Sequence, residues 1–247
     1  MLGDLRAGYQ RPSFYDILGP LSHTPPFGAP AARIDGAAIA GTSLARFDNT
    51  IGTKRYANSL KYITPEMSGF KLHAFGALGE VAGSNSADRT WNLGLSYKNN
   101  SFTAGLSYLK TNCPGVIGCL ANQSEDEVLG FGMGYSFGKL KVTGIYTKQK
   151  NAKIVKGNNA ETASIAFKYP VRNWHFAAGY QILNDKTSKN MDVQQINLSA
   201  VYDLSKRTAL YTILARQRVT NGGISGISFL SSSGSQNQFS LGLRHSF

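Results

Sequence analysis

Residues 134–138 read Gly-Tyr-Ser-Phe-Gly, the G-x-S-x-G spacing that presents a serine nucleophile when it caps a strand–turn–helix elbow. Here Leu140–Lys150 alternates like a further strand, so Ser136 reads as a hydroxyl beside a turn and no catalytic residue is assigned. His23, His73, His175 and His245 are scattered, without the close spacing that a metal ion needs from its ligands. Cys113 and Cys119 bracket Pro-Gly-Val-Ile-Gly. An even count with Pro and Gly between them suggests a small bridged loop in an oxidising compartment; two free thiols are the other reading. Neither a metal nor a cofactor is implied.

Charge is the stronger signal. Lys plus Arg number 26 against 14 Asp plus Glu, a net charge of +12. Such a balance fits a solvated basic surface, a nucleic-acid module or a field that draws anions into a channel. The basic residues are spread over the polar faces of alternating segments: Arg6, Arg55, Lys61, Lys71, Lys98, Lys141, Lys168, Arg216, Arg218 and Arg244, with Asp4 as the clear acid among them. Arg216 and Arg218 share their parity with Leu210 and Leu214, which weakens their place in this set. A nucleic-acid module would gather its charge beside an insertable element or stacking aromatics, so nucleic acid is set aside. A basic wall raises the local concentration of anions.

The elements that must position these charges are strands. From Lys54 onward, apolar and polar residues alternate in segments of about ten residues, the length that crosses a bilayer as a tilted strand. Residues 129–137 are the cleanest case: Leu129, Phe131, Met133, Tyr135 and Phe137 alternate with Gly130, Gly132, Gly134 and Ser136. Tyr56, Leu60 and Tyr62 are set on one face, opposite Arg55, Ala57, Ser59 and Lys61. Twelve strands follow from this reading, joined by connections that alternate short (EMSG, NN, GK, PVRN, DLSK) and long. Membrane barrels have short turns at one end and long loops at the other. Aromatics beside the turns, Tyr62, Trp91, Tyr97, Tyr108, Tyr135, Phe137, Tyr169, Trp174 and Tyr202, would form interfacial girdles. The mean hydropathy of −0.21 does not oppose this, because inward polar residues dilute the apolar wall. The expected fold is all-β, a transmembrane antiparallel β-barrel in a lipid bilayer.

One segment does not read as strand. Residues 11–53, rich in Pro, Gly and Ala, show no steady period and no amphipathic helix pattern, and loops this long usually have a task. We expect residues 1–10 to form the first strand, 11–53 to fold into the lumen, and 54–247 to supply eleven more strands of a single domain. The inserted loop carries Asp16, Asp35 and Asp48 against Arg11, Arg33 and Arg46.

The stretch RYANSLKYITPEMSGFKLHAFGALGE resembles the strand pair that follows the constriction loop in general porins of Gram-negative outer membranes. Arg55, Asn58, Ser59, Tyr62, Pro65, Gly69 and Phe70 carry the match; Ala57 stands where the family usually has Asp. Tyr15-Asp16 and Pro26-Phe27-Gly28 look like constriction-loop elements. The ending Leu-Gly-Leu-Arg-His-Ser-Phe, with Phe239, Leu241, Leu243 and Phe247 at alternate positions, is similar to the family's assembly signal. The resemblance implies a sixteen-stranded homotrimer in the outer membrane, inserted by the assembly machinery through its last strand. It also implies a passive pore for small solutes and ions, with loop acids facing a basic wall. Twelve strands beginning just before the loop, and no signal peptide after Met1, lead us to expect a porin lacking its first four strands; twelve strands closing alone are the other expectation. An autotransporter translocator barrel and a lipase-type barrel enzyme are the competing functions, with an anion-preferring channel expected first.

Overall fold

In a computed structural model the described residues are 2–22, the backbone of 44–45, 54–115, 118–227 and 231–247. Their alternation becomes twelve long antiparallel strands: β1 (Asp4–Gln10), β2 (Tyr56–Ile63), β3 (Phe70–Ala77), β4 (Thr90–Lys98), β5 (Phe102–Thr111), β6 (Asp126–Phe137), β7 (Leu140–Lys150), β8 (Ala160–Val171), β9 (Trp174–Asp185), β10 (Val193–Asp203), β11 (Thr208–Val219) and β12 (Ser235–His245). Each pairs with its sequence neighbour in one sheet running from β1 to β12. Among the described residues no ladder joins β1 to β12, so these strands form a wall with two edges, not a cylinder closed on itself.

The wall has two unlike faces. One is apolar and exposed: Leu129, Phe131, Met133, Ile165, Phe167, Leu198 and Leu214 stand on it. The other is polar and buried, with Asn92, Ser107, Thr143, Gln181, Gln195, Asn197 and Gln217. That inverts the pattern of a water-soluble sheet. At the short-turn end the exposed face carries linked aromatic pairs, Phe70–Tyr97 at 4.5 Å, Tyr135–Phe137 at 4.6 Å and Trp174–Tyr202 at 4.7 Å between ring centroids.

After β1 the chain turns onto the polar face as a short helix, α1 (Ser13–Leu18), continued by a 3₁₀ turn at Gly19–Leu21. This corrects the expectation of no helical pattern in residues 11–53. Phe14, Ile17, Leu18 and Leu21 recur at the spacing of one helix face, and they pack with Leu109, Val128 and Ile145 into the main apolar cluster. Pro12 precedes the helix without a side-chain cap. The wall supplies one instead: the Phe14 N–H donates to Asn92 Oδ1 at 2.6 Å, satisfying a backbone group that a helix start leaves open.

The seat for α1 is cut from glycine. A Cβ added to Gly94 or Gly105 would run into Ile17, one on Gly130 into Phe14 and Leu18, and one on Gly132 into Leu21. The glycines of the cleanest alternating strand are thus the places where helix and sheet approach too closely for a side chain.

Candidate functional site

The polar face and the segment folded over it form the candidate site. Paired residues in neighbouring strands share a face, and one such row runs Arg6–Lys61–Phe75–Asn92 across β1 to β4. Lys61 is 3 % exposed, and its ammonium donates to Asp16 Oδ2 of α1 at 2.6 Å. Asp16 lies in the first turn of the helix, where a negative charge also suits the helix dipole. Arg6, opposite Lys61, is exposed and donates through Nε to Asp4 Oδ2 at 2.9 Å. Lys71, further along the face, pairs with Glu66 at 3.2 Å. His73 sits between Lys61 and Lys71 in the wall, buried, with Nε2 at 2.9 Å from Ser96 Oγ.

The inserted segment reaches the far side of the wall as well. Lys168 Nζ donates to the Ser22 carbonyl at 3.1 Å, and Lys168 is directly opposite Lys141 on β7. Residues 16–22 therefore stretch from a lysine on β2 to a lysine on β8, with the apolar cluster between them. A second segment folds in from the loop after β11: Gly226 N–H donates to Gln217 Oε1 at 2.7 Å, and Gln217 Nε2 donates to Gln195 Oε1 at 2.8 Å. Ile224–Ser225 pairs in parallel with Leu44–Ala45, so the two inserted loops are joined by backbone.

The predicted site residues fall into distinct groups. Asp16, Lys61, Arg6 and Lys71 lie along one stretch of the inner face, and Arg244 faces inward on β12 opposite Ala209. Arg55 is exposed just ahead of β2. Asp35 and Asp48, with Pro26-Phe27-Gly28, His23, Arg33 and Arg46, lie outside the described residues. Arg216 and Arg218 require correction. On β11 the buried side is Ala209, Ile213, Ala215 and Gln217, which puts both arginines outward with Leu214 and Leu210. Tyr56 also changes sides. Asn58 has a positive φ of 47°, and the β1–β2 register slips beside it. This bulge turns Tyr56 inward, its ring edge-on to Phe75 at 5.6 Å. Bulges shift parity in this way.

Cys113 and Cys119 are joined as a disulfide in the loop between β5 and β6. Phe239, Leu241 and Leu243 stand exposed on the outer face of β12, and Phe247 follows it. Ser136 faces inward opposite Lys141, with no helix after its strand. Asn92, which caps α1, was not singled out by sequence; its signal, a lone amide amid hydroxyls and glycines on the inner face, is visible only once the helix is placed.

Residues 1–222 match the sequence profile described as Gram-negative porin. Among characterised relatives, outer membrane porin protein 32 of Delftia acidovorans is 27 % identical over 206 residues, covering 78 % of this chain and 57 % of the relative. The major outer membrane protein P.IB of Neisseria meningitidis serogroup B is 27 % identical over 199 residues, covering 76 % and 56 %. The chain thus spans a little over half the length of these two relatives. Among solved structures, an anion-selective porin from Comamonas acidovorans superposes with a TM-score of 0.77 at 22 % identity, over 100 % of this chain and 75 % of that one. Salmonella typhi OmpF, in complex with daunomycin, gives 0.68 at 13 % identity, over 98 % and 74 %.

Proposed function

The chain belongs to the Gram-negative porin family, and from that premise we propose that it works as a passive, water-filled diffusion channel for small hydrophilic solutes and ions across the outer membrane, with a preference for anions. One observation carries the reading: a loop carboxylate, Asp16, meets a wall ammonium, Lys61, where the inserted helix crosses the inner face. The contact fixes where the inserted segment rests on the basic wall, and unequal numbers of charges lining the space beside it give selectivity. Arg6, Lys71, Lys98, Lys141, Lys168 and Arg244 all face the same side. Asp4 and Asp16 are engaged by Arg6 and Lys61, and Asp126, Asp185 and Asp203 also face inward on β6, β9 and β10, so the basic residues keep a smaller excess. The relative named as anion-selective supports the same sign.

An inner face of hydroxyls and amides suits water, because a dry interior would leave their polar atoms costly. Thr143 Oγ1, Asn197 Nδ2 and Ser199 Oγ have no protein partner among the described residues. The exposed apolar face would meet lipid. Homotrimer formation, and insertion by the outer-membrane assembly machinery through Phe239, Leu241, Leu243 and Phe247, belong to the same proposal. Asp35 and Asp48 are proposed to join Asp16 as loop acids.

The test is a planar bilayer holding the purified chain under a KCl gradient. We expect ohmic pores with a reversal potential of anion-selective sign, and a preference that fades as KCl rises from ~0.1 M to ~1 M and the Debye length falls from ~10 to ~3 Å. A reversal potential of cation-selective sign would overturn the anion preference. The edges at β1 and β12 are unpaired among the described residues, and an open edge does not face lipid, so conduction requires those edges to be covered in the assembly. Absence of any conductance from correctly inserted protein would overturn the channel.

A further inference from the structure

On the outward faces of the strands, charged side chains gather near the long-loop end, and nearly all are matched. Lys110 pairs with Glu125 at 2.5 Å, Lys148 with Glu161 at 3.5 Å, and Lys150 with Glu127 at 3.9 Å. Arg216 and Arg218 are the exceptions. They stand on β11 with no acidic partner among the described residues, opposite Ile196 and Gln194 on one side and Asn237 and Ser235 on the other.

Two exposed guanidinium groups at the edge of a wall otherwise built for hydrocarbon can extend to the headgroup level, where an anion would be their natural partner. The ground around them has the shape of an amphiphile. Arg216, Arg218, Gln194, Tyr180 and Ile196 line an open hollow of about 290 Å³ with the two guanidinium groups at it. It continues, past Arg216 and Ile196, into a groove of about 460 Å³ lined by Leu198, Leu214 and Phe239, which runs toward the middle of the apolar face. A free anion would use the hollow and leave the groove empty. A protein partner would have to bury a basic pair at the rim and a hydrocarbon track beneath it at once.

We propose that this is a binding site for an anionic phospholipid-like amphiphile of the surrounding leaflet. Its phosphate is held by Arg216 and Arg218, and its acyl chain lies along Leu198, Leu214 and Phe239. Arginine suits the role because its planar fork can donate two hydrogen bonds to one phosphate, and basic residues near a membrane surface draw anionic headgroups. The proposal rests on the apolar face meeting lipid, but not on ion flow.

Native mass spectrometry of the full chain in detergent tests it, with dioleoylphosphatidic acid and dioleoylphosphatidylcholine as probes. Wild type is expected to retain phosphatidic acid about tenfold more tightly than phosphatidylcholine, and R216Q/R218Q to lose that preference. R216K/R218K should keep most of it, and K148Q all of it. A double glutamine variant that still discriminates would overturn the proposal. So would inorganic phosphate that displaces the lipid as effectively as phosphatidic acid, or a changed oligomeric state with lipid retention untouched, which would make this a subunit contact. Conductance recorded on the same preparations separates the two readings: pores without lipid discrimination sink this site alone, and lipid discrimination without pores sinks the channel alone.

Discussion

Asp16 and Lys61 are 45 residues apart in sequence and 2.6 Å apart in space, and only the lysine is fully sealed from solvent. Breaking such a pair from the acid side strands a buried ammonium. Asp16→Asn should therefore destabilise the chain by about 3 kcal/mol, the lower end expected for a buried pair because the carboxylate keeps some contact with solvent. Asp16→Asn/Lys61→Met should recover most of that loss. Denaturant unfolding of both variants reads the difference; equal stability of the single variant and wild type would count against the pair as an anchor.

Helix α1 can be dislodged without touching a charge. Gly130→Val places a side chain where Phe14 and Leu18 now sit, an overpacking that should cost about 1–3 kcal/mol. If α1 narrows the passage, single-channel conductance should rise together with the loss of stability. A destabilised variant of unchanged conductance would mean that the helix braces the wall without shaping the path.

The outer face predicts its own intolerance. Leu198→Arg puts a charge mid-strand on the exposed apolar side and should cost roughly 2–4 kcal/mol in a bilayer, whereas Leu198→Ile should be nearly silent. Refolding into vesicles and titrating with denaturant measures both. An arginine accepted at Leu198 without penalty would place that face in water.

The Cys113–Cys119 bridge closes a short loop at the long-loop end. By chain entropy its removal in Cys113→Ser/Cys119→Ser should lower stability by about 2 kcal/mol and leave conductance as it was. Iodoacetamide should label neither sulfur until a reductant is added; labelling without reductant would show two thiols.

The strands were legible because lipid-facing positions are repetitive. Leu129, Phe131 and Met133 can serve only one side of a wall, and the glycines between them sharpen the contrast. Two things blurred the reading. On β11 both faces are apolar, with Ile213 and Ala215 inward and Leu210 and Leu214 outward, so alternation could not tell where Arg216 and Arg218 point. At Asn58 an extra residue reset the parity of everything before it, including Tyr56. The helix was overlooked for its length: Phe14, Ile17, Leu18 and Leu21 carry the right spacing, but six residues between Pro12 and Gly19 are too few to show a period. The site was legible as a sign of charge, loop acid against basic wall. The pairing of Asp16 with Lys61, of all the available partners, depends on how α1 rests on the sheet, which no local pattern encodes.

That resting place has one more effect. Because the hollow under α1 exists only where glycines of β4, β5 and β6 fall side by side, a slip of one residue in any of these strands would swing Leu or Phe into it and shut the helix out. The seat of residues 14–21 therefore exists only in the native register of these three strands.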